Sequence, residues 1–126
     1  MNGVLLPLTL LFKVTLMEKS DRIKQFEKVL AMDPSDPTTY FGLGQAYLNE
    51  SFFEEAAATF KKGLELNPNH TASYYLLSQA LSRLERKEEL LAVLKKGIEI
   101  GEKEGDRIPT EKMIARLHRI TKGSTS

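Results

Sequence analysis

Cysteine and tryptophan are absent from this chain of 126 residues, and histidine occurs only as His70 and His118. Without cysteine there is no disulfide, no thiolate nucleophile and no thiolate metal site. Two histidines far apart in sequence leave little material for zinc ligation or general-base chemistry, and no metal or cofactor is implied. An excess of one charge is missing too. Lys plus Arg number 18 against 17 Asp plus Glu, a formal net charge of +1, so no strong field draws the chain to nucleic acid or anionic lipid. The glycine-rich phosphate loop, the dinucleotide-binding turn, the H-E-x-x-H zinc motif and the G-x-S-x-G elbow are all absent. No catalytic residue is assigned and no small-molecule substrate is expected. Both histidines read as surface residues, His70 at a helix start and His118 between Arg116 and Arg119. The disulfide-free composition fits a reducing compartment, and a cytoplasmic location is expected.

Long hydrophobic runs are scarce. The exception is residues 1–16, which carry one charged side chain, Lys13, and no acid. The apolar run from Val4 to Phe12 is shorter than the roughly 20 residues a membrane-spanning helix needs. A secretory signal would want a basic start and a small-residue cleavage site, and neither is present. Four readings stay open: a membrane span or anchor, a targeting segment, an extra helix or arm packed on the fold or in a weak homo-oligomer, and a stretch not native to the fold, with Met17 as the true start because charged amphipathic sequence begins there with Glu18. Membrane association is expected only through this segment.

What is present is repetition. A shift of 34 residues carries Tyr40 onto Tyr74, Leu43 onto Leu77, Gln45 onto Gln79 and Ala46 onto Ala80. The same shift carries Lys61, Lys62, Gly63 and Glu65 onto Lys95, Lys96, Gly97 and Glu99. Within each unit the spacing is helical: Tyr40, Leu43, Gly44 and Tyr47 fall at i, i+3, i+4 and i+7, and Ala56, Phe60, Gly63 and Leu64 repeat the pattern on a second helix. Asp36-Pro37 has the chemistry of an N-cap and first helical residue. Ser51 with Glu54 predicts a capping box for the second helix. Asn67-Pro68-Asn69 predicts its end. Glu54-Glu55 and Glu88-Glu89 suit helix starts, and Lys61-Lys62 and Lys95-Lys96 suit helix ends.

These residues resemble the tetratricopeptide repeat (TPR). Over residues 37–70, Tyr40, Leu43, Gly44 and Tyr47 match W-x2-L-G-x2-Y with tyrosine in the tryptophan position, Ala56 and Phe60 match A-x3-F, and Pro68 matches the closing proline. Residues 71–104 resemble a looser second repeat through Tyr74, Leu77, Ala80 and Leu81, with Ser78 for the glycine, Leu90 for the alanine and Glu102 for the proline. Residues 20–36 resemble the second half of a repeat through Phe26, Val29, Leu30 and Pro34. The resemblance implies an all-α fold, a short superhelix of antiparallel helix pairs, in which Tyr40, Leu43, Gly44, Tyr47, Ala56, Phe60, Tyr74, Leu77 and Ala80 pack the core. With the closing proline missing, the last repeat helix is expected to run on to Gly105 as its left-handed cap. Residues 106–122 are expected to form a closing helix, with Met113, Ile114, Leu117 and Ile120 inward and Lys112, Arg116, Arg119 and Lys122 outward, followed by a flexible tail at 123–126.

The resemblance also implies a function, the holding of a partner protein or peptide in the concave groove lined by the first helix of each repeat. The matching positions are Thr38, Phe41, Gln45, Leu48 and Asn49, then Ala72, Tyr75, Gln79, Ser82 and Arg83. Phe41 and Tyr75 are read equally as groove aromatics or as packing residues. The carboxylate clamp of chaperone-binding TPR domains wants Lys, Asn and Asn where this chain has Phe41, Gln45 and Leu76, so that clamp is not expected, though Arg83 could pair with one acid on a partner. Nucleic-acid binding through the basic last helix is the weakest binding reading, since no aromatics interleave the basic residues.

Overall fold

The computed structural model describes residues 18–125, and residues 1–17, with the readings proposed for 1–16, lie outside the described residues. Among the described residues six α-helices follow one another: α1 (Asp21–Met32), α2 (Pro37–Asn49), α3 (Phe53–Leu66), α4 (Thr71–Arg83), α5 (Lys87–Glu104) and α6 (Arg107–Thr125). Each packs on its neighbour in sequence, and α6 also reaches α4. α2/α3 and α4/α5 are complete pairs, flanked by the single helices α1 and α6. No strand occurs among the described residues.

Local chemistry sets the boundaries. The Asp36 side chain accepts from the Thr38 backbone N–H at 3.0 Å, and Pro37 sits in the first turn of α2, where its missing N–H needs no partner. Ser20 caps α1 by accepting from the Ile23 N–H, and its hydroxyl donates to Glu50 at 2.6 Å, which ties the start of α1 to the end of α2. α5 runs past the missing proline to Gly105, whose φ of 75° is left-handed, and the Asp106 N–H closes the end on the Gly101 carbonyl at 3.0 Å.

Ser51 does not cap α3 as its spacing from Glu54 predicts. The N-cap position falls to Phe52, and no side-chain hydrogen bond is made there. Ser51 instead ends α2 at φ 67°. Its N–H donates to the Leu48 carbonyl at 3.1 Å, and the Phe52 N–H donates to that of Tyr47 at 2.8 Å, the paired bonds of a Schellman ending. The next repeat does the same, with Glu85 at φ 59° and bonds from Glu85 to Ser82 and from Arg86 to Leu81. Lys61, Lys62, Lys95 and Lys96 also lie inside their helices rather than in the last turns. Three of them form ion pairs there: Lys61 with Glu89, Lys62 with Glu65 and Lys96 with Glu99. Residues 123–125, expected as tail, belong to α6.

The core is continuous from Ile23 to Met113 and contains Leu43, Tyr47, Ala56, Phe60, Leu77, Ala80, Leu81 and Leu94. Glycine permits the close helix approaches. A Cβ on Gly44 would stand 2.6 Å from the Phe60 ring, and one on Gly97 would stand 2.7 Å from the Tyr74 Cβ. In the second repeat Ser78 takes the glycine position, fully buried, and its hydroxyl donates to the Tyr75 carbonyl at 2.5 Å. Leu94, smaller than Phe60, stands at the position equivalent to that ring.

A candidate partner-binding hollow between α2, α4 and α6

The first helices of the two pairs, α2 and α4, present a hollow of about 390 Å³ lined by Leu48, Asn49 and Ser51 from α2 and its cap and by Gln79, Ser82 and Arg83 from α4. Phe53 of α3 and Arg116 of α6 complete the lining. Five of the ten groove positions implied by the sequence therefore meet around one space. Asn49 and Arg83 are exposed, and Leu48, Gln79 and Ser82 are half-buried. The Arg83 guanidinium lies 4.6 Å from the Phe53 ring centre, a cation–π arrangement that orients it. Gln79 donates to the Tyr75 hydroxyl at 2.9 Å, which fixes the amide at the edge of the hollow.

The other five positions lie elsewhere. Thr38 and Phe41 line a second, smaller hollow of about 70 Å³ with Asn67, His70 and Ser73. Phe41 packs edge-on against His70 at 4.7 Å and near Phe60 at 6.5 Å. His70 occupies the N-cap position of α4 without capping it, and its Nδ1 pairs with the Ser73 hydroxyl at 2.7 Å. Tyr75 has the Lys112 ammonium of α6 5.4 Å from its ring centre. Gln45 and Ala72 are half-buried and line neither hollow.

Three residues of the hollow, Ser51, Phe53 and Arg116, are not among the implied groove positions. Arg116, read as part of the outer face of the closing helix, is half-buried, and its Nε is fully buried with no hydrogen-bond partner within the protein. Ile114, read as part of the inner stripe, is 46% exposed. Met113 is fully buried, and Leu117 and Ile120 pack against the core. The signal for Arg116 lay in its i+3 spacing from Met113, which places the two side chains on adjoining parts of one helix face.

At the far end of the array, Tyr47 donates to the Glu27 carboxylate, which also accepts from Lys19 at 2.8 Å. The hydrogen bonds from Lys19 and Tyr47 hold the Glu27 carboxyl below its ordinary range, and burial followed by the Glu27 hydrogen bond pushes the Tyr47 phenol up. This cluster fastens α1 to α2 and lies apart from both hollows. Among the described residues there is no group of three or more His, Cys, Asp or Glu able to hold a metal ion, and no helix is long and apolar enough to cross a membrane.

Helix pairs with this repeat geometry define a TPR-like repeat protein. The family model described as anaphase-promoting complex, cyclosome, subunit 3, matches residues 19–97, and the chain belongs to this TPR-like family. No curated protein sequence matches it. Among solved structures it is similar to SycD, the type III secretion translocator chaperone of Yersinia enterocolitica (TM-score 0.79, 16% identity, 84% of this chain and 74% of that one). It is also similar to the TPR2B domain of yeast Sti1 in a pHsp70 complex (0.73, 17%, 80% and 81%). A third similar structure is the first TPR of Spaghetti (RPAP3) bound to the HSP90 peptide SRMEEVD (0.70, 21%, 82% and 78%). At these identities the likeness is one of fold. TPR domains typically mediate protein–protein interactions and are generally non-catalytic.

Proposed function

We propose that this chain is a non-catalytic interaction module that holds a segment of a partner protein in the hollow between α2, α4 and α6. The observation that carries this reading is the convergence of Leu48, Asn49, Gln79, Ser82 and Arg83 on one space of about 390 Å³. An apolar side chain, two amides, a hydroxyl and a guanidinium suit a peptide better than a reacting substrate: Leu48 and the Phe53 ring supply contact area, and the amides can bond main-chain groups. The RPAP3 domain of similar fold holds an HSP90 peptide, which supports a peptide as the occupant. In this reading Tyr75 acts through the Gln79 amide that it holds, while Thr38 and Phe41 line the smaller hollow and Gln45 and Ala72 line neither.

The test is affinity capture from native lysate on the full chain and on Asn49→Trp, which fills the hollow from an exposed position. Proteins retained by the parent and lost by a variant with an unchanged melt establish the groove. Identical retention by both places binding elsewhere.

A second reading has its own observation. Val29 and Met32 of α1 are 50% and 85% exposed, an apolar edge on the end of the array suited to self-association. Light scattering on chains beginning at Met1 and at Met17 distinguishes an edge contact, present in both, from one made by the apolar segment.

A further inference from the structure

Most basic side chains of this protein that pair do so with acids along the outer helices. Lys61 meets Glu89, Arg86 meets Glu54, Lys19 meets Glu27 and Arg107 meets Glu111. Among the described residues four arginines have no ion pair, Arg22, Arg83, Arg116 and Arg119, and two of them, Arg83 and Arg116, line the same hollow. Arg83 has no ion pair and lies against the Phe53 ring. Arg116 has no ion pair either, and its buried Nε has no hydrogen-bond partner within the protein. The hollow contains no aspartate or glutamate among its lining residues. A buried guanidinium N–H left unpaired costs more than most polar groups, because a charged donor has given up water and gained nothing.

We propose that Arg83 and Arg116 together receive an acidic side chain, the carboxylate of an Asp or Glu within a partner segment, so that the last helix supplies half of the binding site. This rests on the groove reading above and names the chemistry of the occupant. Charge complementarity carries it. Two planar guanidiniums with no internal counter-charge border a space of peptide dimensions, and a guanidinium binds a carboxylate through parallel N–H···O bonds that a neutral group cannot return. The site differs from a clamp on a chain terminus, because Arg116 comes from α6, outside the repeats. The neutral groups beside the arginines, Asn49, Gln79 and Ser82, are left to bond the main chain on either side of the acid. The closing helix is thus more than a cover for the apolar end of α5. Its Met113 face anchors it, and that anchorage places Arg116 at the groove.

The experiment uses the full chain with peptides selected on it from a random phage-displayed library, and with an oligoglutamate peptide as a direct probe, measured by fluorescence anisotropy at low and at physiological salt. Arg83→Ala, Arg116→Ala, Arg116→Gln, Arg119→Ala and Asn49→Trp are compared, each after a circular dichroism melt. Arg116→Gln keeps most of the stem if Arg116→Ala loosens α6. The expected result is that selected peptides carry an acid at a fixed position, that changing it to Gln weakens binding about tenfold, and that Arg83→Ala and Arg116→Gln each weaken binding by a similar factor while Arg119→Ala leaves it unchanged. Selected peptides without a required acid, blocked by Asn49→Trp yet indifferent to both arginines, overturn this proposal and leave the groove reading standing. Binding indifferent to Asn49→Trp as well overturns both. Equal losses from Arg119→Ala reduce the effect to diffuse charge, and a phosphoserine in the acid's place that binds more than about tenfold tighter replaces the carboxylate with phosphate.

Discussion

The Tyr40 hydroxyl donates to the carbonyl oxygen of Pro34 at 2.8 Å, and one repeat later the Tyr74 hydroxyl donates to the carbonyl of Pro68 at the same distance. Each tyrosine fills the tryptophan position of its repeat, and each ties the first helix of a pair to the turn that precedes it. The phenol thus gives a turn carbonyl a partner while the ring stays in the core. Each Cβ also presses against the small residue of the facing helix, Gly63 for Tyr40 and Gly97 for Tyr74. Tyr40→Phe and Tyr74→Phe each remove one bond and little volume, and each is expected to destabilise the chain by about 0.5–1.5 kcal/mol. Urea unfolding of both variants checks this. A change in one repeat only would mean that the two turns do not bear the same load.

How much of this was legible beforehand depends on what each residue's partner is. The repeat period, the Asp36 cap, the Gly105 stop and the tyrosine, leucine and glycine positions follow from spacing within a few residues. Ser51 did not, because the same S-x-x-E pattern fits a capping box and a left-handed helix end, and only the bonds to Leu48 and Tyr47 decide. Arg116 did not, because a single apolar stripe defines one inward direction, whereas α6 lies against both α4 and α5. A helix seated against two others buries a wider arc, and Arg116 falls inside it while Ile114 falls outside. Phe41 and Tyr75 were open between groove and packing, and their contacts with His70 and Lys112 are fixed by side chains from other helices that no local spacing encodes.

The two repeats solve the same close approach differently, which makes an exchange informative. Gly44→Leu is expected to cost about 1–3 kcal/mol or more, because its first carbon alone would stand 2.6 Å from the Phe60 ring. Gly44→Ser should cost less, and its cost should fall when Phe60→Leu is added, which copies the Ser78 and Leu94 combination of the second repeat. Phe60→Leu alone leaves a cavity. A double-mutant cycle by chemical denaturation is expected to show a favourable coupling of about 0.5–3 kcal/mol. Strictly additive losses would mean that the serine is tolerated in the second repeat for another reason.

Glu85 offers a gain in stability. It is exposed and holds φ 59°, a conformation that costs a side-chain-bearing residue about 1–2 kcal/mol. Glu85→Gly removes that cost and adds back about 0.4–1 kcal/mol of unfolded-chain entropy, so a net rise of up to about 1.6 kcal/mol is expected. Glu85→Val, β-branched and poorly suited to a left-handed helix end, should lower the melting temperature. Thermal melts of the two variants beside the parent check both directions.

The Glu27 and Tyr47 cluster predicts opposite pH responses at the junction of α1 and α2. Glu27 has its folded pKa lowered by hydrogen bonds from Lys19 and Tyr47, so its contribution is complete above the ordinary glutamate range and is lost as pH falls through the folded value. Tyr47 has its folded pKa raised by burial and then by the Glu27 hydrogen bond. Its contribution is present below the ordinary phenol range near 10 and is lost as pH rises through the folded value. The wild-type chain should therefore lose stability at both extremes. Glu27→Gln should flatten the acid limb and Tyr47→Phe the alkaline limb, each by removing its own titrating group. Because Tyr47 donates to Glu27, Tyr47→Phe should also move the Glu27 titration back toward its ordinary value, shifting the midpoint of the acid limb upward. Thermal melts across pH for the three chains read both limbs. An acid limb unchanged in Glu27→Gln would assign the acid sensitivity to the other exposed carboxylates and leave the α1 junction without a titrating clasp.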